Sequence, residues 1–260
     1  MRRPPACRAS SDARAAGVGR TGRSVPAADV VKRLDLALYL LTMLAGIFAQ
    51  GFVSGRLVVP GAAAATSARI LANKGLFELG FTAYMIEMAS QTALTALFYE
   101  LLAPGSRSVS LVAAFIGLGG CVIKIVSRLF YLAPLLALAG AHYLKVFDRQ
   151  QLQALGLLFL EVNDHGAGMS LAFFGLYAVL TGYLIARSSF LPRILGVWSV
   201  VAGLGWLSFL SPTLGYRVFT YAAAFGFLGA LALILWLLVF GLKEGEWYEQ
   251  AGAGAGSARR

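Results

Sequence analysis

The stretch VSLVAAFIGLGGCVIKIVSRLFYLAPLLALA, Val109 to Ala139, decides what kind of molecule this is. It is apolar over about thirty residues, enough for a helix to cross a hydrocarbon core ~30 Å thick at ~1.5 Å per residue. Yet Lys124 and Arg128 stand near its middle. A charged side chain at the centre of a spanning helix costs at least ~2.5 kcal/mol, so each needs a partner or a wet cavity. Spaced four apart, the two share one helix face, about 6 Å from each other along the axis.

The rest of the chain agrees with a membrane setting. Of 260 residues 58% are hydrophobic and 13% charged, against about 25% charged in a soluble domain; the mean hydropathy is +0.74. Six apolar windows are long enough to span: 34–53, 77–102, 109–139, 166–186, 194–214 and 218–242. Each reads as a helix, because an open sheet would leave backbone groups unpaired in lipid. The expected fold is therefore an all-α six-helix membrane bundle over residues 34–242, between a disordered basic tail (1–33) and a flexible C-terminal tail (243–260). The basic tail is rich in Arg, Ala, Ser, Pro and Gly and lacks the apolar stretch of a signal peptide.

The net charge of +10 reads as topology rather than as a nucleic-acid footprint, since no folded basic face or recognition module accompanies it. With a cytoplasmic N-terminus, fourteen of the 22 Lys and Arg fall inside and six outside, leaving Lys124 and Arg128 in the membrane. This places both termini in the cytoplasm. Without the first 31 residues the inside count is eight, still above six. Two long outer connections, 54–76 and 140–165, suggest an external cap; within them 62–73 reads as a surface helix, and 152–160 as an interfacial helix or an extension of the fourth span. The two cysteines, Cys7 in the tail and Cys121 in a span, cannot meet.

Counting depth from the helix ends places Glu87 opposite Arg128 and Gln91 opposite Lys124. Gly80, Tyr84, Glu87, Gln91 and Thr95 share one stripe, and Gly117, Gly120, Lys124 and Arg128 share another. One carboxylate against two cations leaves a surplus positive charge, to be met by water, a carbonyl or an anionic ligand. Two readings stay open: a cavity that binds or moves a small polar or anionic solute or ion, and a buried ion pair that only fixes packing. A second cluster, Glu161, Asp164 and His165 with His142 nearby, lies at the expected outer mouth of the fourth span. Its spacing can hold a metal, but two histidines without a ligand motif more often cap a helix entry, so no metal or cofactor is assigned. No HExxH, GxSxG, GxxxxGK[ST] or GxGxxG string occurs, so no catalytic residue is assigned and the reading leans away from an enzyme. The expected partners are the lipid bilayer and a small-molecule ligand; no protein partner is legible.

The strings LAGIFAQGFVSGRLVVPG (44–61), ILANKGLFELGF (70–81), QLQALGLLFL (151–160) and FFGLYAVLTGYLIARSSFLPRILG (173–196) carry a family resemblance. Through them the chain, over about Lys32 to Lys243, resembles a bacterial multi-pass family catalogued as domain of unknown function 4386. The last string is the most specific, joining a helix end, a basic turn and the next helix start. The resemblance implies an integral inner-membrane protein and brings no known activity.

Overall fold

The computed structural model describes residues 28–139, 142–239 and 247. The expected N-terminal tail up to residue 27, and the C-terminal tail apart from Trp247, lie outside the described residues. Within them every regular element is helical. Helix α1 (Ala28–Gly46) begins ahead of the expected Leu34, continues as a π-helix over Ile47–Ser54, and ends in the turn Gly55–Leu57. Pro60 and Gly61, the latter at φ 72, then reverse the chain.

The short α2 (Ala63–Ala72) buries Thr66, Ser67 and Ile70. The Thr66 hydroxyl ties α2 to the preceding turn, accepting from the Val59 amide at 2.9 Å and donating to the Val59 carbonyl at 3.1 Å. Asn73 separates α2 from α3 (Lys74–Leu102). Beyond the turn at Pro104 and Gly105, Ser106 caps α4 (Arg107–Leu138) by accepting from the Val109 amide.

After a short 3₁₀ turn, His142–Val146, Asp148 and Gln151 form a reciprocal capping box at the start of α5 (Arg149–Arg187). The stretch 152–160 is therefore an extension of the fourth span, the second of the two readings. At 39 residues α5 is ~58 Å long, well beyond a ~30 Å core. Helix α6 (Arg193–Leu207) passes through a 3₁₀ turn, Ser208–Leu210, and Ser211 alone separates that turn from α7 (Pro212–Val239). The expected loop around Arg217 is thus the second turn of α7.

Five of these helices are long and apolar enough to cross a membrane: the 36–57 part of α1, then α4, α5, α6 with its 3₁₀ extension, and α7. The chain is a membrane protein. The sixth expected span lies in α3, which at 29 residues is long enough but is diluted by Glu87, Gln91 and three threonines.

The helices pack in a ring, α1 on α3, α3 on α4, then α5, α6 and α7, with α7 returning to α1 through the least extensive of the six contacts. One apolar cluster, with Val53, Ile70, Phe77 and Tyr131, fills the end where α3 starts and α4 finishes. Another, with Leu94, Phe98, Leu184 and Phe190, fills the opposite end. Between Tyr84 and Leu94, α3 presents the polar residues to the middle of the ring.

Helices α5 and α6 approach at glycines a heptad apart. A Cβ on Gly203 would stand 2.6 Å from the Gly175 carbonyl oxygen, and one on Gly182 would stand 2.7 Å from the Gly196 carbonyl. Backbone cannot yield as a flexible side chain does. Gly203→Ala is expected to lower stability in detergent by ~1–3 kcal/mol, the usual cost of overpacking. Gly205→Ala, where the added Cβ meets only Ala222 at 3.4 Å, serves as control. Equal melting temperatures for the two variants would contradict the close crossing.

Candidate functional site

Two antiparallel helices set the polar seam. Lys124 Nζ on α4 donates to Glu87 Oε1 on α3 at 2.6 Å, with side chains 14% and 10% exposed. The register expected from sequence, Glu87 opposite Arg128 and Gln91 opposite Lys124, is corrected by one turn. Its cause is the helix start: α3 begins at Lys74, three residues before Phe77, which adds ~4.5 Å of depth. Glu87 then lies thirteen residues from its helix end and Lys124 fourteen from the adjoining end of α4. Gln91 stands one turn further along α3, on the wall of the same cavity.

Arg128 is 1% exposed. Its guanidinium lies over the Tyr84 ring, 3.5 Å from the centroid, and one terminal nitrogen donates to Asn163 Oδ1 of α5 at 2.9 Å. Flat stacking and a directed N–H bond together are what a guanidinium offers and an ammonium does not. The Tyr84 hydroxyl donates to Gln50 Oε1 at 2.6 Å and lies 3.1 Å from Ser54 Oγ. Tyr131 presses on Tyr84 edge to face and stacks on Phe77. Glu87 Oε2, Arg128 Nε and the Tyr131 hydroxyl are buried without a hydrogen-bond partner.

Gln50 and Ser54 belong to the π-helical stretch of α1. Such stretches concentrate at functional sites because the widened turn re-aims side chains. Gly46, just before it, makes room for the carboxylate: a Cβ there would sit 3.1 Å from Glu87 Oε1.

The cluster expected at the outer mouth divides. Because α5 starts at Arg149, Asp164 is fifteen residues, ~22 Å, along the helix. It reaches the same cavity as Glu87, Lys124 and Arg128. Asn163 Nδ2 donates to Asp164 Oδ1 at 3.0 Å, linking it to Arg128 through one amide. The expected surplus of positive charge is therefore corrected: two carboxylates face two cations. His165 remains exposed, its Nδ1 bonded to the main-chain carbonyl of Glu161 at 2.8 Å and its ring edge-on to Tyr216. His142 is exposed in the 3₁₀ turn. Among the described residues no three His, Cys, Asp or Glu side chains come together as a metal group.

All six long helices contribute to a cavity of about 760 Å³ at the centre of the ring. Gln50, Tyr84, Glu87, Gln91, Lys124, Arg128 and Asp164 form its polar side. Leu94, Phe98, Phe174, Trp206, Phe209 and Phe219 form much of the apolar remainder. Few convergent polar groups in a largely apolar wall is the usual make-up of a small-ligand site. The sequence reading did not find Gln50, although a lone glutamine in an apolar span is itself a signal.

A family model described as Domain of unknown function (DUF4386) matches residues 37–241. No curated protein and no solved structure matches the chain.

Proposed function

We propose, for a chain that belongs to the family Domain of unknown function (DUF4386), a six-span protein of the bacterial inner membrane that binds a small polar solute in its central cavity. Support for the sixth span comes from α3 itself: it takes a full place in the ring between α1 and α4, and its buried charge is met by Lys124. Six crossings put both termini on one side, which the Lys and Arg distribution makes the cytoplasm. The turn at Pro60, α2 and the first turns of α5 then form an outer cap.

The observation that carries the binding reading is the meeting of four ionisable side chains on the wall of one cavity of about 760 Å³, a size within the ~300–1,000 Å³ of small-ligand sites. A packing device alone has no need of the space. A second reading draws on the direct 2.6 Å contact of Lys124 with Glu87: the pair fixes helix register and nothing more.

Native mass spectrometry from mild detergent separates the two. The wild type is expected to carry a discrete co-purifying mass that is absent from the Lys124→Met/Glu87→Gln double variant. The double variant keeps the charge count even, so its loss of ligand is not a loss of fold. Ligand-free spectra for both proteins, equally folded, would overturn the binding reading in favour of packing.

A further inference from the structure

The cavity walls are not equally sealed. Tyr84 and Arg128 on its polar side are 1% exposed, and Leu94 and Phe98, further along the same face of α3, are 3% and 7%. Seven other lining residues are exposed: Ile47 at 50%, Gln50, Gly51, Asp164, Tyr216 at 46%, and Phe219 and Phe227 at 41% each. Ile47, Gln50 and Gly51 belong to the π-helical stretch of α1, Tyr216, Phe219 and Phe227 to α7, and Asp164 to α5 beside them; α1 and α7 carry six of the seven. These are the two helices whose contact closes the ring least extensively. The opening therefore lies in the side of the bundle, and its rim sets the apolar and aromatic Ile47, Phe219 and Phe227 beside the polar Gln50 and Asp164. Such a rim suits an amphiphile, its hydrocarbon against the apolar and aromatic side chains and its headgroup toward the polar pair.

Beyond the rim the chemistry changes. Lys124 spends one N–H on Glu87 and has two more to give. The Asp164 side chain is exposed on the cavity wall and open to a ligand, whereas Glu87 Oε2 is buried. Two acids and two bases sum to no net charge. A ligand with net charge would leave an uncompensated ion in a low-dielectric site, whereas one carrying both signs would not.

We propose that the cavity takes its ligand sideways from the membrane: a lipid with a zwitterionic headgroup, entering between the π-helical stretch of α1 and residues 216–227 of α7. The inference rests on the binding reading above and names its ligand class. The phosphate meets Lys124, the ammonium meets Asp164, and the upper chains lie along Phe219 and Phe227. The cavity is too small for a whole diacyl lipid, so the lower chains remain in the opening and in the bilayer.

The test uses the full-length protein in detergent, offered phosphatidylethanolamine and phosphatidylglycerol of matched chains in equal amounts, with retained lipid counted by native mass spectrometry. Phosphatidylethanolamine is expected to be retained about tenfold over phosphatidylglycerol, the factor that ~1.4 kcal/mol gives. Gly51 lies on the cavity wall, and a Cβ there meets nothing within 4 Å, so Gly51→Trp fills the mouth without a backbone clash. It is expected to abolish retention at an unchanged melting temperature. Ile47→Trp, on a side chain already half exposed, tests the same point if Gly51→Trp misfolds.

Equal retention of the two lipids, or wild-type retention in the folded blocked variants, would overturn the inference. A wild type that holds no lipid, yet carries a small solute lost in the Lys124→Met/Glu87→Gln variant, would overturn it while upholding the binding reading. Neither lipid nor solute would remove both.

Discussion

Lys124→Met and Glu87→Gln, made singly, are each expected to destabilise the protein by ~3 kcal/mol, while the two together fall within ~1 kcal/mol of wild type. Removing one partner of a buried pair strands the other charge, and that penalty exceeds what the intact pair contributes. Glu87 makes the case severe. Its Oε1 accepts from Lys124, and its Oε2 has no donor at all. Without Lys124 the carboxylate loses its one hydrogen bond. Gly46, packed against it, leaves no room for a compensating rearrangement toward α1. Equilibrium unfolding of the four proteins in one detergent gives the coupling energy directly. A double variant as unstable as the two singles added together would show that Lys124 and Glu87 are not coupled, and would remove the seam as a unit.

Arg128→Met is expected to cost ~3 kcal/mol, because the side chain holds two things at once: a desolvated cation–π contact of about 2 kcal/mol or more and a charged hydrogen bond of ~1.5–3 kcal/mol, part of which burial of the methionine offsets. Arg128→Lys recovers little of this, since an ammonium cannot lie flat on Tyr84 and also reach Asn163. Asn163→Ala removes only the hydrogen bond and is expected to cost less than Arg128→Met. Thermal unfolding of the three variants tests the order. If Arg128→Lys matched wild type, the stacked guanidinium would count for nothing beyond its charge.

The seam was legible because charge in an apolar run is costly: Glu87, Lys124 and Arg128 stand out from the sequence for that reason alone. Their pairing was not legible, because depth was measured from Phe77 and the helix starts a turn earlier, at Lys74. Nothing in the polar string from Asn73 to Glu78 marks where hydrogen bonding begins. Asp164 was assigned to a mouth for the same reason, since the capped start of α5 at Asp148 lies far ahead of its apolar window. The widened turn of α1 had no signal at all: Gly46, Gly51 and Gly55 read equally well as lipid-facing or packing glycines. The close approach of α5 and α6 was half visible, in glycines at heptad spacing whose partners become known only once the crossing is.

The connection at Ser211 bears on how the protein is made. Helices α6 and α7 are separated there by one 3₁₀ turn and one residue, too short a connection for either to be placed independently of the other. The two must partition as one hairpin, with the strongly apolar α7 carrying in the less apolar α6. Arg217, in the second turn of α7, sits near the tip of that hairpin, a lone charge held between two apolar arms.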